Sequence, residues 1–412
     1  MSILNVNKIN PVGGGSTITI AGIASVTSSV TSPSFVGDVT GNVTGNVTGN
    51  ADTASGLSGN PSINTTGIVT ATSFVPTIGQ LSHRNIVING AMTVAQRGGT
   101  AGAHNSFVVD RFKFKKESTA ANFDMTQSTT SPDGFSKSLK VDCTSADTST
   151  AHNEFVVLRQ SIEAQDLQQL GYGTAAAKPL VLSFYVRSNV TGVYSLNCVQ
   201  NDNSSKIYSR TYTIDSADTW ERKTISIPAD TSGVINDDNG EGLQINFNLL
   251  LGSSYKGSAV STAWETYAND KWGSQHGVNI ASSTSNEWYL TGVQLEVGSQ
   301  ATAFEHRSFG EELLLCERYY QLVKSGPGKT AADNQYAFRV GLSPTMRATP
   351  SVLLLDGTNA FDEIWVATRS VTNAGTYRGD TSSIGISGAM SSGNNNAQIN
   401  VENGKFALSA EL

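Results

Sequence analysis

Five segments in the middle of this 412-residue chain alternate apolar and polar positions, and they follow one another at near-regular intervals. They are residues 181–189 (VLSFYVRSN), 192–200 (GVYSLNCVQ), 206–214 (KIYSRTYTI), 220–228 (WERKTISIP) and 243–252 (LQINFNLLLG). A period of two places successive side chains on opposite faces of a strand, so Leu182, Phe184 and Val186 should share one face. Short strands at this spacing, with frequent turns, predict an all-β sandwich of two packed sheets.

A helix is predicted directly after the last sandwich strand. Ser308 stands three residues before Glu311, which is the spacing of a capping box. Apolar side chains then recur at spacings of four, three and four, at Phe309, Leu313, Cys316 and Tyr320. This pattern predicts a helix within residues 310–325 that lies flat against the sheet and ends before Pro327.

The last part of the chain, residues 326–412, predicts a second, small β domain. Residues 344–357, PTMRATPSVLLLDG, are typical of a turn that leads into a buried strand. Residues 405–412, KFALSAEL, are typical of a final strand. Between them, residues 370–396 are rich in Gly, Asn and Ser, which predicts long exposed loops.

The first 80 residues have a different character. From residue 11 to residue 79 only Asp38 and Asp52 are charged and large apolar side chains are sparse, so this part should not form its own globular core. Glycine recurs every fourth residue in GDVTGNVTGNVTGNAD, and each unit pairs Val with Thr, which favour strands. We expect residues 21–80 to form an extended, intertwined homotrimeric shaft, and residues 1–20 to form a docking strand or a short edge strand.

Composition narrows the classes of partner. Only 15% of the residues are charged and the net charge is −7, which argues against a nucleic-acid or anionic-membrane partner. No apolar run approaches the roughly 20 residues of a membrane span, so no membrane insertion is expected. Cys143, Cys198 and Cys316 are odd in number and far apart, which predicts small buried side chains rather than disulfides. Such cysteines fit assembly in a reducing cytoplasm.

The sequence offers little support for catalysis. The histidines and cysteines do not occur at metal-ligand spacing, and neither a phosphate-binding loop nor a nucleophile elbow is present. Glu163 with Asp166, or Asp237 and Asp238 with Glu241, could act as acid and base on a glycan, but they also fit solvated loop charges. We expect a protein that is not an enzyme, with no catalytic residue, no metal and no cofactor.

A better candidate for a binding site is an aromatic loop. Residues 253–272, SSYKGSAVSTAWETYANDKW, place several rings in a polar, glycine-rich stretch between two strands. Exposed rings stack on the apolar faces of sugars while neighbouring polar groups bond the hydroxyls. The candidate ligand-binding residues are Tyr255, Trp264, Tyr267, Asn269, Asp270 and Trp272. Alternatively, these rings pack the loop onto the sandwich or form a trimer interface, whereas Trp220 and Trp288 are expected in the core.

Three motifs occur in a fixed order and carry a resemblance to a known family. They are RNIVINGAMTVAQRG at residues 84–98, VDRFKF at 109–114 and QLEVGSQATAFEHRSFGEELLLCERYYQ at 294–321. Together they resemble the tail-fibre and receptor-binding proteins of tailed bacteriophages, and residues 1–10 are similar to the starts of fibres from marine phages. The family more often has Trp where this chain has Phe112.

This resemblance implies a mainly β protein with a jelly-roll domain of the kind found in carbohydrate-binding modules, over residues 81–309. Residues 1–20 would dock onto other virion proteins, and a homotrimeric tail fibre, assembled in the host cytoplasm, would adsorb to a surface glycan or protein. A purely architectural fibre of the head, collar or tail is one alternative, and a polysaccharide depolymerase is another.

Jelly-roll modules of this kind often hold a structural Ca²⁺ at the sandwich edge. Oxygen ligands are available in Asp110, Asp237, Asp238 and Glu296, but no spacing selects among them, so calcium is left unassigned.

Overall fold

The computed structural model describes residues 82–412 of the chain, apart from eight short gaps. The gaps are residues 203–204, 258–259, 324–326, 332–333, 356–360, 364–366, 391–397 and 402–404. The predicted docking segment, residues 1–20, and the predicted shaft, residues 21–80, lie outside the described residues. Within the described ranges the protein is mainly β: a jelly-roll sandwich is followed by one helix and a second β lobe.

Two antiparallel sheets make the sandwich. Its strands are β1 Ser106–Phe107, β2 Phe112–Glu117, β3 Asn122–Ser128, β4 Ser138–Ser145, β5 Phe155–Glu163, β6 Leu180–Ser188, β7 Gly192–Gln200, β8 Lys206–Ile214, β9 Glu221–Ile227, β10 Glu241–Leu251, β11 Glu265–Thr266 and β12 Glu287–Val297. The seven-stranded sheet has the order β1-β2-β5-β10-β7-β8-β11, and the five-stranded sheet the order β3-β4-β12-β6-β9. Short 3-10 helices lie at Ala164–Leu170, Ser253–Tyr255, Asn269–Lys271 and Ile280–Ser282. The five predicted strands are confirmed as β6 to β10.

The core between the two sheets follows from the alternation in the sequence. Leu182, Phe184 and Val186 of β6 all point into it, as predicted, while Tyr185 and Arg187 between them are half-buried on the outer face. This burial removes apolar surface from water at roughly 25 cal/mol per Å², the main favourable term for such a fold.

The two tryptophans assigned to the core differ in burial. Trp288 is fully buried, with its ring centroid 6.2 Å from that of Phe247 on the opposite sheet. Trp220 precedes β9 and is only half-buried, with its ring against Tyr289 on the outer side of the five-stranded sheet. The three cysteines are free and buried, which confirms the prediction.

The helix α1, Phe309–Glu317, begins at its predicted cap but is shorter than residues 310–325. The Ser308 hydroxyl accepts a hydrogen bond from the backbone N–H of Glu311 at 3.2 Å, as a capping residue does. The chain leaves the helix after Arg318 and continues as a strand that contains Tyr320.

The predicted apolar face of α1 is only half confirmed. Cys316 is buried as predicted, and so is Tyr320 in the strand that follows, but Phe309 is 60% exposed and Leu313 is half-buried. Glu312 is buried instead. The reason is a polar contact that periodicity does not show: the Glu312 carboxylate accepts a 2.5 Å hydrogen bond from the backbone N–H of Asn89. The helix is therefore fixed by this contact as much as by apolar packing.

Ten further strands form the C-terminal lobe. They are β13 Tyr320–Leu322, β14 Pro327–Ala331, β15 Gln335–Gly341, β16 Ser351–Leu354, β17 Phe361–Glu363, β18 Ala367–Arg369, β19 Gly375–Gly379, β20 Ser383–Ala389, β21 Gln398–Val401 and β22 Phe406–Ser409. A three-stranded sheet has the order β13-β22-β16 and a seven-stranded sheet the order β18-β17-β21-β14-β15-β20-β19. The sandwich, α1 and this lobe belong to one compact unit.

Two predictions for this lobe need correction. The final strand is confirmed as β22, but β16 is an edge strand with Leu353 40% exposed, not a buried strand, because the sheet ends there. Residues 370–396 were expected in loops; residues 370–390 instead contain β19 and β20, which pair with each other, and residues 391–396 lie outside the described residues. Backbone pairing outweighs a low side-chain strand propensity at these positions.

The Asn-Gly turn of the first motif is held by close packing. Asn89 has a φ of +60°, and its side-chain oxygen accepts from the backbone N–H of Val94 at 3.0 Å. Its amide donates to the carbonyls of Val94 and Asp110. A Cβ on Gly90 would lie 2.0 Å from the carbonyl oxygen of Val293, so only glycine fits beside β12.

The motifs meet at one buried ionic group, which we call the junction. It consists of Gln96, Arg97, Asp110, Arg111, Tyr319, Tyr320 and Glu411. Arg97 pairs with Asp110 at 3.2 Å and with Glu411 at 2.8 Å, and Arg111 pairs with the second oxygen of Glu411. The two guanidinium groups stack on the tyrosine rings, at 3.4 Å for Arg111 over Tyr319. The junction joins the sandwich, the strand after α1 and the C-terminal residues.

We predict that Glu411→Gln destabilises the protein by about 3–5 kcal/mol, because it leaves the Arg111 charge buried without a counter-charge. Arg111 is only 2% exposed. Urea denaturation measures the change. As a control, Asp218→Asn breaks the ion pair with Arg187 at an exposed carboxylate and should cost less than about 1 kcal/mol. Equal costs for the two variants would contradict a stabilising junction.

Candidate functional site

A second apolar cluster lies on the outer face of the seven-stranded sheet, away from the main core. We call it the outer-face cluster; it consists of Phe155, Val157, Val199, Ile207, Leu251 and Trp272, with Tyr255 and Tyr267 packed against it. The first five come from strands β5, β7, β8 and β10. Trp272, Tyr255 and Tyr267 come from the loop that follows β10. A sheet face that would otherwise meet water is thus partly covered by the loop that sequence analysis selected.

Side-chain amides on the sheet fix the loop in place. Asn197 of β7 and Asn248 of β10 both donate to the carbonyl oxygen of Trp272, at 2.9 and 3.1 Å. A Cβ on Gly273 would lie 2.2 Å from the Ser195 hydroxyl, so the backbone passes directly over the sheet. The sequence does carry a signal for this surface, because polar residues alternate with apolar ones through β10, at Gln244, Asn246 and Asn248.

Three rings form the apolar part of the site. The centroid of Trp272 lies 5.1 Å from that of Tyr255 and 5.2 Å from that of Phe155. The indole N–H of Trp272 donates to the Tyr267 hydroxyl at 2.8 Å, and that hydroxyl in turn donates to Asn269. Trp272 is therefore 7% exposed and pre-organised, while Tyr255 and Tyr267 remain half-buried at the surface.

These rings border an open concave pocket with a volume of about 440 Å³. It is lined by Lys115, Phe155, Arg159, Val199, Asn201, Ser205, Gln244, Tyr255, Tyr267, Asn269 and Trp272. The volume lies in the range of small-molecule sites, and aromatic rings alternate with groups that form hydrogen bonds. We call this the aromatic pocket.

The pocket brings together four of the six candidate residues: Tyr255, Tyr267, Asn269 and Trp272. Trp264 lies elsewhere, between Tyr172 and Tyr208, with its indole N–H donating to the carbonyl of Pro228 at 2.8 Å. Asp270 is exposed and does not line the pocket. Whether any of these residues binds a ligand stays a prediction.

Two cations in the pocket were missed by sequence analysis. Lys115 projects from β2 and Arg159 from β5, and both are partly buried. Burial, reinforced by the nearby charges of Arg159 and Lys113, lowers the pKa of Lys115 to about 8. No local spacing could have found this pair, because its members come together only through the pairing of β2 with β5.

A serine–histidine contact lies beneath the loop. The Ser195 hydroxyl is 3.1 Å from Nδ1 of His276, and Asn248 donates to the same hydroxyl at 2.9 Å. Both residues are buried, and burial lowers the pKa of His276 to about 3. A general base works best with a pKa near the working pH, so this contact supports the loop rather than activating a nucleophile.

None of the five carboxylates considered for acid–base chemistry lines the aromatic pocket. Glu163 is fully buried and pairs with Arg318 through two 2.7 Å hydrogen bonds. Glu241 accepts hydrogen bonds from Ser161, Asn201 and Gln244. Asp237 and Asp238 lie in an exposed loop, and Asp166 lies apart from the aromatic pocket, in a smaller cavity beside α1.

Two of the four oxygen ligands considered for calcium, Asp110 and Glu296, have protein partners instead. Asp110 accepts from Gln96 and Arg97, and Glu296 accepts from Gln294 and Thr302. Across the described ranges, no three His, Cys, Asp or Glu side chains come together in a group able to hold a metal ion. Among the helices described, none has the length and apolar character needed to cross a membrane.

Comparisons with known proteins give similarity to solved structures only; no protein-family profile and no curated protein sequence matches the chain. The enzymatically active domain of bacteriophage CBA120 tailspike protein 4 is 11% identical, over 52% of this chain and 21% of that one, with a TM-score of 0.29. The family 11 carbohydrate-binding module of the cellulase Lic26A-Cel5E of Clostridium thermocellum is 14% identical, over 50% and 98% of the chains, with a TM-score of 0.26. TmCBM61 in complex with β-1,4-galactotriose is 9% identical, over 52% and 99%, with a TM-score of 0.26. At such low TM-scores we draw nothing about function from these similarities.

The lowered pKa of Lys115 predicts how stability depends on pH. Below about pH 8 the side chain is charged in the folded and the unfolded protein, and the folded state carries the full cost of the buried charge. Between about pH 8 and the ordinary lysine pKa of 10.5 only the unfolded state keeps the proton, so stability rises with pH. We therefore expect Lys115→Met to stabilise the protein at about pH 7 and to lose that advantage by about pH 10.

Urea denaturation at both pH values measures the difference between the wild type and Lys115→Met. Lys223→Met is the matched control on the five-stranded sheet. Burial acts against its charge, but ion pairs with Glu221 and Asp215 raise the pKa of Lys223 overall, so its loss should destabilise the protein at pH 7. If Lys115→Met also destabilised the protein at pH 7, as the control should, the conclusion that Lys115 is a buried charge without an ion pair would be contradicted.

Proposed function

We propose that this protein is a non-catalytic adhesin that binds a surface glycan in the aromatic pocket. The observation that carries the proposal is the pocket itself: half-buried Tyr255 and Tyr267 and the fixed ring of Trp272 border a concave site with amide groups around it. The apolar face of a sugar ring stacks on aromatic side chains, and amides such as Gln244 and Asn269 suit its hydroxyls.

We further propose that the adhesin is a phage tail fibre that acts in the virion after assembly in the host cytoplasm. The support for this part is the resemblance of the three motifs, whose residues meet at the junction and the Asn-Gly turn. Residues 1–20 would join it to other virion proteins, and residues 21–80 would form a trimeric shaft. Three weak sites on one fibre raise the effective concentration enough for adsorption.

The test of glycan binding is calorimetric titration and cell adsorption with the full chain and polysaccharides from candidate hosts. We expect saturable binding, and Tyr267→Ala should weaken it about tenfold because a stacking ring is lost. Tyr185→Ala is the control, since Tyr185 is also a half-buried tyrosine on an outer sheet face, packed on Phe135 at 5.3 Å. This variant should bind as the wild type does.

Release of reducing ends is measured in the same samples. Binding together with the release of reducing ends would show that the protein is a depolymerase and not a non-catalytic adhesin. Absence of binding to every susceptible host would favour an architectural fibre, with the pocket rings buried against another subunit. Equal losses in Tyr267→Ala and Tyr185→Ala would show that the pocket is not the site.

The trimer predicts a mass in solution three times that of the 43.4 kDa chain. Light scattering of the full chain at several concentrations measures it. A stable monomer or dimer would contradict the proposed trimeric shaft without affecting the glycan site.

A further inference from the structure

The aromatic pocket holds two cations, Lys115 and Arg159, that form no ion pair among the described residues, and this bears on the kind of glycan it would take. Within the described part of the chain, neither Lys115 nor Arg159 forms an ion pair. Among the residues that the structure describes, Lys115 Nζ has no hydrogen-bond partner, and Arg159 uses only its Nε, which donates to the side-chain oxygen of Asn246 at 2.7 Å. The terminal nitrogens of both side chains are therefore available to a ligand.

Their neighbours make this arrangement costly for the empty protein. Arg159 on β5 lies directly opposite Lys113 on β2 in the strand register. Lys115 lies two residues further along β2, on the same face of the sheet. Like charges placed this way repel, and partly buried charges are normally paired. Lys113 donates a hydrogen bond to the backbone oxygen of Leu412 and does not line the pocket, so the two cations that face the pocket are Lys115 and Arg159.

The carboxylates nearby form no ion pair with either cation among the described residues. The charge of Glu241 on β10 favours the charged forms of Lys115 and Arg159, but Glu241 accepts its hydrogen bonds from neutral donors, among them Asn201 at 2.6 Å and Gln244 at 2.5 Å. Glu265 on the loop pairs with Lys271 at 2.6 Å. An incoming anion would thus meet two free cations beside a set of rings.

We propose, on the basis of the glycan site above, that the pocket selects an acidic saccharide whose carboxylate binds between Lys115 and Arg159 while the sugar ring stacks on the loop aromatics. A planar guanidinium matches a carboxylate with paired hydrogen bonds, and the ammonium adds a point charge. In a partly dehydrated pocket such charged hydrogen bonds are stronger than those to a neutral hydroxyl.

The same assignment predicts that binding depends on pH. Burial lowers the pKa of Lys115 to about 8, so its positive charge should fade as the pH rises from about 7 to about 9, and binding of a carboxylate should weaken. The charged and titratable groups around it are Lys113 and Glu117 on its own strand, Arg159 on β5, Glu241 on β10, and Tyr255 and Tyr267 on the loop. Loss of the dependence in Lys115→Arg, which stays charged, would identify the group.

The experiment compares matched pairs of polysaccharide with the full chain. Polygalacturonate and alginate are titrated beside the same polymers after chemical reduction of their carboxyl groups, with dextran as the neutral and dextran sulfate as the sulfated arm. We expect reduction to weaken binding roughly tenfold to a hundredfold, the value of charged hydrogen bonds. Lys115→Gln and Arg159→Gln should weaken binding to the native polymer and leave binding to the reduced polymer unchanged.

Lys223→Gln, with the same change in charge on the opposite sheet, is the control and should have no effect on binding. Equal binding of native and reduced polymers, or unchanged binding in both pocket variants, would overturn the acidic selectivity and leave the glycan site standing. If dextran sulfate were the only one of these polymers to bind, the proposed selectivity for carboxylates would be wrong, and the pocket would be a site for sulfated saccharides. If neither these polymers nor the host polysaccharides bind, the proposed function fails together with the inference.

Discussion

The structure depends on one buried ionic contact, in which the Glu411 carboxylate lies between the guanidinium groups of Arg97 and Arg111. Buried charges are tolerated only when they are paired and hydrogen-bonded, and here cation–π stacking on Tyr319 and Tyr320 completes the enclosure. The contact joins residues about 300 positions apart in the chain, so it fixes the C-terminal lobe on the sandwich. It also fixes Asp110 and Arg111 immediately before β2, the strand that carries Lys115 into the aromatic pocket.

The pocket depends on polar side chains on the outer face of the seven-stranded sheet, the face that does not pack on the main core. These side chains hold the loop that borders the pocket. The amides of Asn197 and Asn248 hold the backbone of Trp272, and the ring then packs on Phe155. The loop covers only part of the face, and the uncovered part retains Lys115 and Arg159. The fixed rings beside Lys115 and Arg159 form a pre-organised surface, so little conformational entropy is lost in ordering side chains when a ligand binds.

Much of the fold could be predicted from the sequence, because a period of two specifies which side of each strand is buried; β7 and β8 match their predicted bounds. The helix cap at Ser308 was also predictable, since it depends on neighbouring residues. The face of α1 was not, because a hydrogen bond from Asn89 buries Glu312. Likewise the local motif found Tyr255, Tyr267, Asn269 and Trp272, but Lys115 and Arg159 are brought to the site by strand pairing that no short pattern records.

The most direct test of the account is a crystal structure of the full chain with a bound acidic oligosaccharide. We predict that one sugar ring lies over Tyr255 and Tyr267 beside Trp272. Its carboxylate would lie within hydrogen-bond distance of Lys115 and Arg159. A saccharide bound on another surface, or a pocket filled by side chains of a neighbouring subunit, would contradict it.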